Sequence, residues 1–591
     1  MKKRIFPFAT AVAALLSPAV AAAAPYASGV TVTGDAVTFI LNESADTVKV
    51  VFNEGATTIV IGTTPEPAGT KNFSKAGFTS FRIEVEKNAG PGWKSGVLQQ
   101  ISQDTNDLVK FANGRGVAVN RLPDTGPLFG RVYTSVATSG SAAPVVVPPT
   151  PARTTNEGIY VLNADFSVTA LGSGPQLGGL TFNTNATSGV ESPYRLTVGE
   201  KVDLFIADWS ETQGSVYKTD GNVSGGKMVL GGPIGLNPPI PPASTSTTNY
   251  PLTADKIHGS IAAVVTGGSE ANKDLKLWVI DDDLQAPGAT TPAIRNSIWL
   301  WDMAGEQLPM VNPPVDFTSA ATVGAIGIGT VPQTADLCRS QDGTFYKLQR
   351  RASGFESGIF AIGPSGQRLP SHSDTTAIGS LAAFRAYSAD IAVVDPFLEA
   401  VACDVSDDNW LAVLRRADNA IHLVKASGGL IDFSSHILLY TAPTTVAARD
   451  ISFDAAGNLY TLSSGQALLR VYAPGGHTRA TTTSTGTFSM LELSPTPPAP
   501  PLALMPTINS VTRTGNDLNI AFSSRLGLAG TIFLQRTANL ETGPWETMVN
   551  PTGTPTPPAI FTIIGTAPNF TFRAIGAYTS SPPYFYRVKR N

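Results

Sequence analysis

The sequence predicts an all-β chain, a six-bladed β-propeller flanked by two small β-sandwiches. Three observations predict it. A strand–turn–strand–turn–strand motif recurs six times between about residue 115 and residue 476, and repeats at intervals of several tens of residues build propellers or solenoids. No stretch sustains the 3.6-residue apolar period of a helix. Both flanks of the repeats run in short period-two alternations broken by frequent turns, the pattern of antiparallel sandwiches.

The copies lie at 115–137, 194–220, 259–303, 335–366, 400–428 and 449–476. The last, ISFDAAGNLYTLSSGQALLRVYAPGG, is the plainest: an apolar strand, an Asp-Ala-Ala-Gly turn, a second strand, a looser turn and a third strand. Turn chemistry accounts for the Asp, Asn and Gly at 340–343, 404–409 and 454–457 without an ion. Neither the 404–409 run nor Asp281-Asp282-Asp283 completes a calcium loop with its distal Glu, so no cofactor is expected, with calcium as the alternative. A parallel β-helix would need shorter, more regular coils.

At 591 residues the chain exceeds a single core. It divides into a signal peptide (1–21), a first sandwich (22–92), the propeller (93–494), a proline-rich spacer (495–506) and a second sandwich (507–591). Lys2, Lys3 and Arg4 precede the apolar Ile5–Leu16 run, and Ala19-Val20-Ala21 supplies small residues for cleavage. The mature chain is therefore expected outside the cytoplasm, whether periplasmic, cell-surface or extracellular. No other segment could span a bilayer. The segments 139–157 and 231–250 are rich in Pro, Ser and Thr and read as long loops without a packed core. Charged residues make up only 15% and the net charge is −4. With no basic stripe to neutralise phosphates, nucleic acid is not an expected partner.

In the last repeat, Asp454, Gly457, Asn458 and Tyr460 stand where NHL-type repeats carry their signature, and the repeat region resembles six-bladed propellers of that kind. TFILNESADTVKVVFNEGATTIVIG, followed by AGTKNFS and FRIEVEK, resembles the Ig-like domain of the flagellar hook-cap type. The strand, loop and tryptophan of LQRTANLETGPWETM, closed by FYRV, resemble the fibronectin-III-like modules of exported bacterial proteins. These resemblances imply folds and say nothing of chemistry.

In such a propeller the first strand of each repeat lines the central channel. The positions at its start are Arg115, Arg195, His258, Asp336, Glu399, Arg449 and Asp450, a mixed-charge ring at one channel mouth. It could hold a ligand, or it could tie neighbouring blades together. Six-bladed lactonases gather carboxylates and Asn side chains on a cation; three arginines oppose that here. Trp209 and Trp301 end strands, where a tryptophan packs between blades or stacks on a sugar ring. Cys338 and Cys403 occupy matching places in neighbouring repeats, either as adjacent free thiols or as a disulfide. No G-x-S-x-G elbow or HExxH motif is present. The reading that emerges is a non-catalytic recognition protein or scaffold for an extracellular or envelope polysaccharide or protein. Its rivals are a metal-dependent hydrolase or lactonase and a purely structural envelope component.

Overall fold

A computed structural model describes residues 24–88, 92–94, 100–142, 152–180, 182, 192–209, 216–230, 261–281, 298–302, 315–316, 333–350, 358–363, 400–415, 420–441 and 448–492. Beyond these it describes seven strands between 507 and 590. The predicted signal peptide, the spacer 495–506, His258 and Glu399 lie outside the described residues. The chain is all-β and divides into two units, 1–493 and 494–591. Among the described residues no helix is long and apolar enough to cross a membrane.

Six antiparallel sheets of three or four strands follow one another along the larger unit. Their first strands are Gly114–Val119, Leu196–Val198, Ile261–Gly267, Gln333–Arg339, Ala400–Val405 and Ala448–Phe453. Each of these lies beside the next, and Ala448–Phe453 lies beside Gly114–Val119. The strands read as nearly continuous apolar runs because both faces are covered. Alternate side chains of a strand point to opposite faces. Val117 and Val119 pack with Tyr460 and Leu462 of the sixth sheet, while Ala118 between them packs with Leu204 and Ile206 of the second. Leu411 and Val413 likewise face the fourth sheet, and Ala412 and Leu414 the sixth. Each such Val or Leu is worth about 1.5–3 kcal/mol of burial.

Five of the six first strands carry a register shift near their start: Gly114/Gly116, Ile261/Ala263, Thr334/Asp336, Ala400/Ala402 and Ala448/Asp450. An extra residue at such a bulge is left out of the ladder and re-aims its neighbours. Arg115 and Arg449 are extra residues of this kind, whereas Asp336 and Asp450 stand just after the shift.

The sequence predicts that residues 22–92 form the first sandwich alone, but they do not close it. A three-stranded sheet (Ala27–Thr33, Ala36–Leu41, Gly69–Ser74) faces a five-stranded one. In the latter, His477–Thr483 pairs with Phe81–Asn88, and Phe488–Glu492 adds the edge. Residues 477–492, allotted to the propeller, therefore complete the sandwich. Phe81–Asn88 would otherwise present an open edge, and backbone pairing satisfies it whatever the side chains. Ala480, Phe488 and Met490 join Val48, Val50, Ile83 and Val85 in one core. Tyr26, Phe129 and Phe488 meet ring to ring at 5.5–5.7 Å, binding this sandwich to the first of the six sheets.

The loop expected over 139–157 is also pinned in part: Gly140–Ala142 pairs with Arg153–Thr155. The Arg153 guanidinium donates to Leu108 O at 2.7 Å and Ser173 O at 2.8 Å and lies over the rings of Phe111 and Tyr160.

In the smaller unit, Thr507–Thr514, Asp517–Ser523, Asn569–Ala574 and Phe561–Thr566 form one antiparallel sheet. Glu546–Met548, Ile532–Thr537 and Phe585–Arg590 form a second.

Candidate functional site

A cavity of about 550 Å³ is lined by residues of all six first strands. At the starts of those strands its lining is Arg195, Asp336 and Asp450, which are 5%, 4% and 4% exposed. Beyond the strand ends it is Arg121, Glu200, Gln341 and Asp407, the last three exposed. Phe488 of the sandwich contributes to the wall.

The buried end is a closed electrostatic knot. Arg195 Nη1 donates to Asp336 Oδ2 at 3.1 Å and to Asp450 Oδ1, and Nη2 donates to Val401 O at 2.6 Å and Arg449 O at 3.2 Å. Asp336 Oδ2 also accepts from the Cys403 amide, and Asp450 Oδ2 from the Val117 amide, each at 2.8 Å. One arginine thus joins the second sheet to the fourth, fifth and sixth, and Asp450 carries the link to the first. Burial works against the charge of Arg195, but Asp336 and Asp450 outweigh it and hold the guanidinium above its ordinary range. Burial pushes Asp450 up to about 7 and raises Asp336 as well, against the pull of Arg195.

Of the residues singled out from sequence, the structure brings Arg195, Asp336 and Asp450 into one cluster, with their polar atoms turned on each other. Arg449 contributes its carbonyl to that cluster while its Nε donates to Ser464 Oγ at 2.9 Å. Arg115 is half-buried one residue before the tightly packed Gly116, where a Cβ would stand 2.5 Å from Tyr194 O. Trp209 is half-buried, 5.1 Å from the Tyr194 ring and against the core of the third and fourth sheets. Trp301 lies in a strand, opposite Leu277, and its side chain is outside the described residues. Cys338 and Cys403 are free buried thiols rather than a disulfide. Cys403 Sγ lies 3.6 Å from Tyr346 O, and burial pushes the thiol well up.

The Asp-Gly turns do what turn chemistry requires. Asp454 accepts from the Ala456 and Asn458 amides at 2.9 and 2.8 Å. Asn458 in turn holds the Ala24 backbone. Hydrogen bonds from Ser340, Thr344 and Gly428 overcome the burial of Asp342 and hold it down at about 2.

At the exposed end the polar groups were not evident from sequence. Arg121 Nε donates to Phe453 O at 2.6 Å and Nη1 to Val405 O at 2.8 Å, and Nη2 pairs with Asp404. Asp404 also accepts from the Phe453 amide at 2.7 Å. Arg339, the last residue of its strand, lines the same cavity. A charged residue at the end of an apolar strand, just before a turn, reads as ordinary solvated surface, so only the convergence of six strand ends shows these residues as a group.

No family model matches the chain, and no curated protein does. Among solved structures, the chain is similar to one titled as the iodide structure of Trichoderma reesei Carbohydrate-Active Enzymes Family AA12. The TM-score is 0.32 at 10% identity, over 65% of this chain and 98% of that one. A likeness this slight carries no argument.

Proposed function

We propose that the chain is an exported, non-catalytic recognition protein that binds an extracellular or envelope polysaccharide in the cavity shared by its six first strands. In this reading the six sheets are the blades of a propeller, the sandwich at its head is Ig-like, and the terminal unit is a fibronectin-III-like spacer. The order of the first strands, with the last beside the first, supports the propeller. The carrying observation for function is the polarity of the cavity. It is lined at one end by charged groups that pair with each other and at the other by exposed carboxylate and amide side chains. A volume of about 550 Å³ falls within the range of small-molecule sites, roughly 300–1,000 Å³, so it suits a short saccharide segment or chain end better than a protein surface.

Affinity electrophoresis of the purified chain through gels cast with a panel of soluble polysaccharides tests this. Retardation by at least one glycan, with no release of product, is expected. Migration unaffected by every glycan, or turnover of a lactone or ester substrate, would overturn it.

A further inference from the structure

A second cavity, of about 350 Å³, adjoins the first: Glu200 and Arg339 line both. Its other walls include Asp274, Lys276, Trp278 and Phe345. Arg339 is the shared partition, and its guanidinium is held by rings rather than by acids. The guanidinium carbon lies 4.9 Å from the Trp278 ring centre and 5.7 Å from that of Phe345. Stacking of this kind fixes a guanidinium in place while leaving its N–H edge free. Among the described residues its one hydrogen bond is Nη1 to Thr266 O, at 3.5 Å, and the buried Nε has no partner. A guanidinium carries five donors, and a buried donor left unmade is costly. Glu200 does not close on it; its Oε1 accepts from the Gly268 amide at 2.8 Å.

In Arg195 and Arg121, by contrast, both terminal nitrogens are engaged by carboxylates and carbonyls, although the buried Nε of Arg195, like that of Arg339, has no partner. Arg339 is therefore the cationic group of this site that is oriented and still has donors to give. A planar or tetrahedral oxyanion satisfies such a fork with two parallel hydrogen bonds. The surrounding acids suit the hydroxyls of a sugar, which donate to carboxylates.

We infer that Arg339 reads an oxyanion, and that the ligand of the paired cavities is an acidic saccharide whose carboxylate or sulfate sits on this guanidinium while its hydroxyls face Glu200. This rests on the saccharide reading above and narrows it. Gly267 belongs to the same device: a Cβ there would come within 2.8 Å of Arg339 Nη1 and 3.1 Å of the Trp278 ring.

Calorimetric titration of the full chain with four oligosaccharides of matched length tests the inference: oligogalacturonate, its methyl ester, a sulfated galactan and the uncharged galactan. At least one acidic form should bind about tenfold or more tighter than its neutral counterpart, the scale of a charge-assisted hydrogen bond. Which acidic form prefers the site tells carboxylate from sulfate. Arg339→Gln should bring the charged and neutral probes within about twofold, at an unchanged melting temperature. Gly267→Ala should weaken the preference by displacing the guanidinium, and provides the readout if the first variant fails to fold. Equal binding of charged and neutral probes, or a preference that survives both variants, would overturn the inference and leave the saccharide reading intact. Failure of all four probes in a chain that also ignores the polysaccharide panel would overturn both.

Discussion

The two ends of the first strands carry the same residue types in opposite states. At the strand starts, Arg195, Asp336 and Asp450 are buried and turned on each other, with backbone groups of the first, fifth and sixth sheets adding further hydrogen bonds. At the strand ends, Arg339 lies against two aromatic rings with one hydrogen bond of 3.5 Å, and Glu200, Gln341 and Asp407 are exposed. Charges paired with one another hold sheets together; an oriented charge without a carboxylate partner beside a cavity is equipped to hold something else. What separates structure from recognition here is therefore whether the terminal nitrogens of each guanidinium are engaged by carboxylates, and not the presence of charge.

That contrast can be broken or sharpened by substitution. The largest effect is expected from Arg195→Ala, which strands two buried carboxyls. Breaking a buried ion pair from one side costs about 3–5 kcal/mol, and the calorimetric transition of the larger unit should fall accordingly; an unmoved transition would refute the role of the knot.

Next is Asp208, fully buried just beyond the strand Leu204–Ala207, whose terminal amide donates to Arg195 O. Burial, with Glu157 alongside, pushes its carboxyl up to about 8. A carboxyl raised above its unfolded value stabilises fully below about pH 4 and loses that contribution as pH rises through its folded value. The larger unit should accordingly weaken from pH 5 to 8, and Asp208→Asn should remove roughly 3 kcal/mol of that decline. Parallel pH profiles for the two proteins would dismiss Asp208 as its source.

A smaller loss, about 1–2 kcal/mol, is expected for Asp404→Asn, which weakens the pairing with Arg121 and the acceptor of the Phe453 amide but leaves two carbonyl contacts in place. The smallest is Arg339→Gln, expected to change stability by less than about 1 kcal/mol. A large loss there would make Arg339 a structural arginine like Arg195 and dissolve the contrast.

Much of this was legible in the sequence. The strand grammar of the repeats and the charged positions at matching strand starts both come from local pattern. Arg195, Asp336 and Asp450 could be named from that alignment, but whether they face a ligand or each other could not. For Asp336 and Asp450 the register shifts just before them decide it, because a one-residue slip turns a side chain to the other face, whereas Arg195 precedes a strand without such a shift. The strands His477–Thr483 and Phe488–Glu492 escaped for a related reason. Their Thr-rich alternation matches any exposed edge, and their partner, Phe81–Asn88, lies nearly four hundred residues earlier.

By itself, then, the sequence determined the strands of the six repeats and where they turn. These follow from period-two side-chain placement and turn chemistry, which act over a few residues. The tertiary structure alone decided which strands complete the first sandwich, and that both terminal nitrogens of Arg195 are engaged by carboxylates and carbonyls while Arg339 has one long hydrogen bond. Those outcomes depend on hydrogen-bond partners brought together from distant repeats, and a donor's satisfaction is a property of its neighbours in space.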